Sequence, residues 1–477
     1  MELILNKCGN HVKCDLKIVL YFKESELHSL DEKTKQIIFE QEKLDAKFGS
    51  MFYLPYTPDE KKYLFVGLGK KEDFDYGQLR EIGSKVAQKL KTLKNIQNAK
   101  VCFCSFENQP NALKTFTQGF YIGDYSFDKY KSEKKEETIN PNVYVCVKVP
   151  EDCEKVFNDA KLTIEAMNFA RDLINEPACA VYPEIIAQTA QNIQGLETRI
   201  YNKQEIEEMK MGAFLGVAQG SIHEPKFIHM KYTPSGEIKK KIAIIGKSIT
   251  FDSGGLDIKP ATSMRNMKED MSGSACVLGI MNVLPKLCPN VEVHGIIATC
   301  ENMPSGKAYK PGDVLIAKNG KTIEVDNTDA EGRLTLADAL CYADELNVDE
   351  IVDIATLTGA CMVALGSSCA GIMGTNQELV DTLIECGKQG GEKLWQLPMF
   401  DEYFEPLQSD IADMKNSGSR YGGASSAACF LSKFVENKNW AHIDIAGTAF
   451  VSKSAKEMLK GAAGAGVRTL IEYILKL

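Results

Sequence analysis

The stretch IGKSITFDSGG, residues 245–255, decides the fold of the larger part of this 477-residue chain. It leaves an apolar run at residues 242–245 that is typical of a buried strand, and its two closing glycines let the backbone turn tightly. Further strand-like runs, separated by helical patterns, follow at residues 291–299, 350–355 and 441–445. This alternation predicts an α/β domain with a mixed sheet flanked by helices.

The region before this stretch predicts a second, smaller α/β domain. Strand-like runs at residues 16–22 and 63–68 alternate with a helical pattern at 76–93. A long helical pattern at 151–175 has no Gly or Pro inside it and stops before Pro177. Because the chain is too long for one compact core, we expect two domains joined by a long helix. The expected boundaries are 1–150 for the N-terminal domain, 151–167 for the connecting helix and 168–477 for the domain with the motifs below.

Composition and charge narrow the class of protein. The chain is 44% hydrophobic and 25% charged, which is typical of a globular protein. Its net charge of −9 argues against non-specific electrostatic binding to nucleic acid or anionic lipid, so DNA binding would need a local basic patch. No stretch predicts a membrane span, and residues 1–10 include Glu2 and Lys7 where a signal peptide has apolar residues. We therefore expect a cytoplasmic protein.

The cysteines predict reduced thiols. There are 15, an odd number, and their spacing suggests no disulfide framework. Cys102 and Cys104 form a C-x-C pair that could hold a soft metal ion. Because no matching second pair accompanies them, a structural role is the favoured interpretation.

Candidate functional residues begin at the end of the strand that opens the deciding stretch. Lys247 and Asp252 follow that strand, and Lys259 comes a few residues later, before Pro260. Ligands of open α/β sheets gather at the carboxyl ends of strands. We therefore expect these three side chains to lie in a functional crevice.

Two further motifs add acidic residues at helix starts. Asp270 lies in MKEDMSG, residues 267–273, ahead of an apolar helical run. NTDAEGRL, residues 327–334, contains Asp329 and Glu331 and then Arg333, ahead of another predicted helix. Backbone N–H groups at that helix start, together with Arg333, could hold a small anion.

Together these motifs predict a centre with two metal ions. Asp252, Asp270, Asp329 and Glu331 would repel one another strongly unless cations neutralised them. Two divalent metal ions bridged by carboxylates can hold a water as hydroxide near neutral pH and polarise a carbonyl. Lys247 could be a ligand only as the neutral amine, whereas a protonated Lys259 could stabilise an oxyanion.

The motifs closely resemble those of the leucyl aminopeptidase (cytosol aminopeptidase) family. The resemblance is carried by GK at 246–247, TFDSGG at 250–255 and, above all, the uninterrupted signature NTDAEGRL. It extends from about Asn168 to the C-terminus and includes RDLINEP at 171–177, CENMP at 300–304, YKPGD at 309–313 and ATLTGA at 355–360. One departure is Ser248, where glycine is more usual after the lysine.

The resemblance implies a role for each matching residue. It implies a tightly held metal ion on Lys247, Asp252, Asp270 and Glu331, and a more exchangeable one on Asp252, Asp329 and Glu331, with Mn²⁺ or Zn²⁺ as the metal. By the same resemblance, Lys259 polarises the scissile carbonyl. A bicarbonate held by Gly332, Arg333 and Leu334 acts as general base on the bridging water.

The resemblance also implies the substrate and the assembly. The free α-amine of a peptide would bind the exchangeable ion, which limits cleavage to the first residue. The implied substrate-binding residues are Met267, Asn327, Thr356, Leu357, Gly359, Ala446 and Ala449. An apolar lining favours Leu or another apolar residue. The family assembles as a homohexamer, to which the N-terminal domain would contribute an assembly or regulatory role.

Two other functions are weighed against this one. Since some bacterial members of the family also bind DNA, a DNA-binding or regulatory role is one alternative, and it would need a basic groove on the N-terminal domain. A two-metal phosphoesterase is the other, but such enzymes usually add histidines, and His294 and His442 lie outside the motifs. Any single acid here would ordinarily be a solvated surface group or a helix cap, so the prediction depends on the joint pattern.

Overall fold

The structure is a computed structural model that describes residues 1–10, 12–24, 32–38, 44–56, 61–133, 140–436 and 439–477. The chain divides into two compact units. The first comprises Met1–Ile164 and Ser454–Leu459, and the second comprises Glu165–Lys453 and Lys460–Leu477. Within the described ranges, no helix is both long and apolar enough to cross a bilayer.

The first unit is built on a six-stranded sheet. Its strands are β1 Glu2–Lys7, β2 Leu16–Tyr21, β3 Met51–Leu54, β4 Lys62–Gly67, β5 Asn98–Cys102 and β6 Asn142–Val147. Its described helices are α1 Glu32–Gln36, α2 Gln78–Leu90 and α3 Gln109–Asp124, with a 3-10 turn at Lys71–Asp73. The strand order is β1-β6-β5-β2-β4-β3, and every pair is parallel except β3 with β4.

Alternation along β4 explains how both faces of this sheet are covered. Leu64 and Val66 are buried in one core cluster, while Tyr63 and Phe65 are buried in another. Successive side chains of a strand point to opposite faces, so an unbroken apolar strand needs a partner layer on each side. The predicted smaller α/β domain is confirmed.

The second unit contains a larger set of elements. Its strands are β7 Glu197–Tyr201, β8 Lys226–Tyr232, β9 Lys240–Asp252, β10 Val291–Asn302, β11 Val314–Ile316, β12 Thr322–Glu324, β13 Glu350–Ala355, β14 Ala370–Gly374, β15 Leu394–Gln396, β16 Met414–Lys415, β17 Asn439–Asp444, β18 Phe450–Val451 and β19 Gly461–Ala462. A long helix, α4 Glu154–Asn175, begins in the first unit and ends in the second.

The remaining helices all belong to the second unit. They are α5 Pro183–Gln191, α6 Lys203–Glu208, α7 Gly212–Ala218, α8 Ala261–Met264, α9 Ser272–Leu287, α10 Gly332–Glu345, α11 Gly359–Leu365, α12 Gln377–Gly390, α13 Gly423–Ser432 and α14 Val467–Lys476. Short 3-10 turns lie at Met267–Glu269, Asp401–Tyr403 and Glu405–Leu407.

The main sheet of this unit is mixed, as predicted. Its order is β15-β14-β17-β13-β9-β10-β8-β7. The central strands β10, β9, β13 and β17 are parallel, whereas β7, β8 and β14 pair antiparallel with their inner neighbours. The carboxyl ends of the four central strands therefore meet at one edge, which is where ligands gather in such sheets.

The strand that opens the deciding stretch is longer than the sequence predicted. The apolar run indicated a strand at residues 242–245, but β9 continues to Asp252. It stays paired with β10, which reaches Asn302 opposite Asp252, and polar Ser248 and Thr250 are buried within it. Lys247 consequently lies inside the strand, and Asp252 is its last residue.

A contact between two glycines fixes helix α9 against the sheet. A Cβ atom on Gly273 would lie 2.1 Å from the carbonyl oxygen of Ile354 in β13, and one on Gly246 would lie 2.5 Å from the carbonyl oxygen of Gly273. No side chain fits at either position, because contacts this short are sterically forbidden. The start of α9, and Asp270 just before it, are therefore held close to Lys247.

A buried carboxylate, Asp353, ties β13 to β17. Its Oδ2 accepts a hydrogen bond from Nε1 of Trp440 at 2.7 Å, and its Oδ1 lies 2.5 Å from Nδ1 of His442. Burial alone would lower the pKa of His442, but the carboxylate raises it above the ordinary histidine value. All three side chains are completely buried.

We expect Asp353→Ala to lower the free energy of unfolding of this unit by about 3 kcal/mol, because it leaves two buried donors without an acceptor. Urea unfolding followed by tryptophan fluorescence measures this unit, since Trp395 and Trp440 are the chain's two tryptophans. Asp381→Ala, at an exposed position on α12, is the control and should change the free energy by less than about 0.5 kcal/mol. Equal losses of unfolding free energy in the two variants would contradict the stabilising role assigned to Asp353.

Candidate metal centre

Lys247 is a buried member of the candidate centre and contacts two of its acids. Its Nζ lies 2.7 Å from Oδ1 of Asp270 and 2.8 Å from Oε1 of Glu331. It also donates a hydrogen bond to the carbonyl oxygen of Thr356 at 2.9 Å. One ammonium group thus joins the segment before α9, the start of α10 and the end of β13.

Lys259 forms the second ionic contact of the centre. Its Nζ lies 2.8 Å from Oδ2 of Asp252 and 2.5 Å from Oδ1 of Asp329. The other oxygen of Asp252, Oδ1, accepts hydrogen bonds from Nδ2 of Asn302 at 2.8 Å and from the backbone N–H of Gly254 at 2.9 Å. Asp252 is therefore held rigidly at the end of β9.

The structure brings together all five residues predicted as metal ligands. Oxygen atoms of Asp252, Asp329 and Glu331 lie within 4.8 Å of one another, and Asp270 joins them through its contact with Lys247. Oδ2 of Asp270 is buried and makes no hydrogen bond within the described part of the chain. Hard carboxylate oxygens with an unmatched acceptor are suited to a divalent cation.

The ionisation of these groups shows how crowded the negative charge is. Burial, and then the neighbouring Glu331, raise the pKa of Asp252 to about 7. The same two causes raise the pKa of Asp329, and burial raises that of Asp270 well above its usual range. Glu331 differs, since Lys247 and Lys259 overcome its burial and lower its pKa. A site that disfavours its own carboxylate charges has the electrostatics of a cation-binding site.

Gly332 provides the space that Lys247 occupies. A Cβ atom on Gly332 would lie 2.3 Å from Cε of Lys247 and 2.7 Å from its Nζ. Gly332 is the first residue of α10, directly after Glu331. The glycine of the NTDAEGRL motif therefore leaves room for the side chain of Lys247 to extend from β9 to the acids of the centre.

Arg333 lies on the first turn of α10, between Gly332 and Leu334. Its side chain is half-buried, and its Nε makes no hydrogen bond to any described residue. Burial lowers the pKa of Arg333 to about 10, so it remains a cation at neutral pH. The backbone N–H of Leu334 already donates to the carbonyl oxygen of Glu331 at 2.9 Å.

Two of the predicted substrate-binding residues contact the acids directly. Oγ1 of Thr356 donates to Oδ1 of Asp270 at 2.7 Å. Oδ1 of Asn327 accepts from the backbone N–H of Asp329 at 2.8 Å, which shapes the turn before α10.

The other predicted substrate-binding residues lie on surrounding segments. Met267 begins the 3-10 turn before Asp270 and is half-buried, and Gly359 is exposed at the start of α11. The backbone N–H groups of Leu357 and Ala446 both donate to Oδ1 of Asp444, at 3.3 and 3.0 Å. Ala449 is buried, and its backbone N–H donates to the carbonyl oxygen of Ile445 at 2.9 Å.

Asp444 and Asn302 were missed by the sequence analysis. Asp444 is fully buried at the end of β17, and its Oδ2 also accepts from Oγ1 of Thr358 at 2.7 Å. Asn302 ends β10 and binds Asp252. Both stand at the carboxyl end of a central strand, like Asp252, and that shared position is the signal that could have identified them.

Acids and lysines gathered at the carboxyl end of β9 and at the starts of α9 and α10 form a centre of the type that metal-dependent hydrolases use. Comparison with known proteins agrees with that class. The model of the cytosol aminopeptidase family, catalytic domain, matches residues 168–471, and the model of its N-terminal domain matches residues 18–134. The chain belongs to the cytosol aminopeptidase family, and it is a peptidase of the leucyl aminopeptidase type.

Curated relatives resemble the chain along nearly its whole length. A probable cytosol aminopeptidase of Persephonella marina is 45% identical over 457 residues, covering 94% of this chain and 92% of the relative. One from a Sulfurihydrogenibium species is 43% identical, covering 100% and 98%. One from Aquifex aeolicus is also 43% identical, covering 92% and 90%. The phosphoesterase alternative is therefore set aside.

We expect Gly332→Ala to lower kcat/KM for an aminoacyl amide by about 10²-fold, because its methyl group would push the amine of Lys247 away from the acids. Alanine favours helix more than glycine does, so a loss would not come from weakening α10. Bound metal per chain, measured by elemental analysis, should fall in parallel. Gly306→Ala, where a Cβ meets nothing within 4 Å, is the matched control. Full activity of the Gly332 variant would refute this explanation.

Proposed function

We propose that this chain removes the N-terminal residue from peptides, preferentially Leu or another apolar residue, with two divalent metal ions, Mn²⁺ or Zn²⁺. The observation that carries the proposal is the convergence of carboxylate oxygens from Asp252, Asp329 and Glu331 within 4.8 Å, beside two lysines. Carboxylates this close, in a buried setting, favour a bound cation over mutual repulsion.

The proposed ligand sets follow from which side chains neighbour one another. Lys247, Asp252, Asp270 and Glu331 would hold the tighter ion, and Asp252, Asp329 and Glu331 the exchangeable one, with Asp252 and Glu331 shared. The contacts of Lys247 with Asp270 and Glu331 support the first set. The oxygen cluster of Asp252, Asp329 and Glu331 supports the second.

Bound metal ions would supply Lewis-acid activation of water and of the scissile carbonyl. Lys247 can act as a ligand only after losing its proton, because an ammonium group has no lone pair. Burial favours that loss, whereas the surrounding carboxylates oppose it and raise the pKa of Lys247 above its usual value. Compensating cations would remove that opposition.

Lys259 suits a different role, the stabilisation of negative charge on the substrate. Burial alone would lower its pKa, but Asp252, Glu331 and Asp329 raise it above the ordinary lysine value. It therefore stays protonated, and it can donate to an oxyanion that forms beside Asp252 and Asp329.

Arg333 would hold a bicarbonate as general base, together with Gly332 and Leu334. Its Nε, which makes no hydrogen bond within the described part of the chain, and its position on the first turn of α10 support an anion at this point. Since the N–H of Leu334 donates within the helix, Gly332 and Arg333 are the better backbone donors. Arg333 would orient the anion and would not accept a proton itself.

The substrate's free α-amine would bind beside Asp329, at the exchangeable site, which limits cleavage to the first residue. The side chain of that residue would then face the segments of Met267, Thr356 and Ala446. None of these three side chains is charged, which supports a preference for an apolar residue. Family membership supports a homohexamer and a cytoplasmic location as further parts of the proposal.

We expect Asp329→Ala and Glu331→Ala each to lower kcat/KM for a chromogenic leucine amide by about 10²-fold or more, because each removes a ligand to the metal ions. The matched control is Asp326→Ala, an exposed acid in the same segment, which should retain full activity. Full activity of the Asp329 and Glu331 variants would refute the assignment of these residues as metal ligands.

In the unchanged chain, the leucine amide should be hydrolysed about 10- to 100-fold faster than the aspartate amide. Equal rates of hydrolysis for the leucine and aspartate amides would refute the proposed preference for an apolar residue.

Arg333→Met tests the bicarbonate separately. In buffer stripped of carbon dioxide, the activity of the unchanged chain should fall and then recover when bicarbonate is added. The variant should show a low activity that bicarbonate does not raise, because the anion has lost its cationic partner. Recovery in the variant equal to that of the unchanged chain would contradict the assigned role of Arg333.

A further inference from the structure

Three cysteines come together in the first unit, far along the chain from the carboxylate centre. The sulfur atoms of Cys8, Cys102 and Cys104 all lie within 4.8 Å of one another, and those of Cys8 and Cys102 are 4.0 Å apart. Cys8 and Cys102 are exposed, and Cys104 is half-buried. An incoming ion can therefore reach the group from solvent.

The topology of the sheet explains this meeting of distant residues. Strands β1, β6 and β5 are parallel neighbours, so their carboxyl ends share one edge. Cys8 follows β1 directly, and Cys102 is the last residue of β5. Val101 and Phe103 are buried, whereas Cys102 between them is exposed on the other side of β5, and Cys104 lies in the turn that follows this strand.

Backbone hydrogen bonds hold the three thiols in position. The N–H of Cys8 donates to the carbonyl oxygen of Val147 at 2.8 Å, and the N–H of Phe103 donates to that of Cys146 at 2.8 Å. The thiol of Cys104 lies 3.8 Å from the same Cys146 oxygen and donates to it. Little reorganisation is needed for the sulfurs to face a common point, and prior ordering lowers the cost of binding.

We propose that Cys8, Cys102 and Cys104 form a site for a soft metal ion, Cu(I), bound through three sulfur atoms. Thiolates select soft ions of this kind over Mg²⁺ or Mn²⁺. With a metal–sulfur distance of about 2.3 Å, three ligands in a plane around one ion lie about 4 Å apart, close to the separation of Cys8 and Cys102. Among the described residues the group offers only three sulfur donors, the number that trigonal Cu(I) takes, whereas Zn²⁺ takes four ligands and would have to add a water.

The site supplies what the C-x-C pair lacked in the sequence. Two cysteines without a matching second pair indicated a structural role, but the fold adds Cys8 from 94 residues earlier. The ion would bridge the ends of β1 and β5. This inference is independent of the proposed peptidase mechanism, since it uses neither its residues nor its metal ions.

The test is a competition titration of the full chain, loaded with Mn²⁺ and kept reduced and free of oxygen, against a chromophoric Cu(I) chelator. We expect one Cu(I) per chain to be withdrawn from the chelator, with a sulfur-to-copper absorption in the near ultraviolet. Cys8→Ser, Cys102→Ser and Cys104→Ser should each weaken binding by more than the roughly 10- to 100-fold that loss of an outer-sphere partner causes.

Cys14→Ser, half-buried in the same unit, and Cys179→Ser, exposed in the second unit, are matched controls that should bind as the unchanged chain does. Leucine amide hydrolysis, unaltered in all five variants, verifies that they are folded. Three results would overturn the proposal: equal weakening in the controls, undiminished binding in the triple serine variant, or binding of Zn²⁺ without binding of Cu(I). A stable Cys8–Cys102 disulfide under the reducing conditions, detected by mass, would also overturn it.

Discussion

The repulsion between buried carboxylates is the constraint around which the second unit is organised. Asp252, Asp329 and Glu331 come from the end of a strand and the start of a helix, and two lysines hold them together. Unpaired charges in such a setting would destabilise the fold by several kcal/mol each. The sheet, the helix starts and the glycine contacts together place positively charged side chains beside these carboxylates.

The sequence predicted the sheet well because both of its faces are covered. Residues 242–245 of β9 are all buried and appear in the sequence as an unbroken apolar run. The prediction failed where polar residues continue a strand. Lys247, Ser248 and Thr250 interrupt the apolar run, yet pairing with β10 keeps them extended as far as Asp252. Backbone pairing between distant segments is not encoded in local periodicity.

The acids of the centre could be predicted because they occur in dense motifs with glycine beside them. Asp444 was missed although it ends a predicted strand, since a lone acid at the end of a short strand usually lies at the surface, and only the fold shows that it is buried with three donors. The cysteine cluster was missed for a related reason. Its third member depends on strand order, and the sequence alone does not state which strands are neighbours.

Asp444 has a consequence for how the specificity of such an enzyme can evolve. Its single carboxylate accepts from Leu357 and Thr358 on one loop and from Ala446 on another. Residues that share a partner do not contribute additively, so a substitution that moves one loop alters the effect of substitutions in the other. If Leu357 and Ala446 bind substrate as proposed, changes of substrate range need coordinated steps in both loops, and libraries that vary one loop alone explore a restricted set of outcomes.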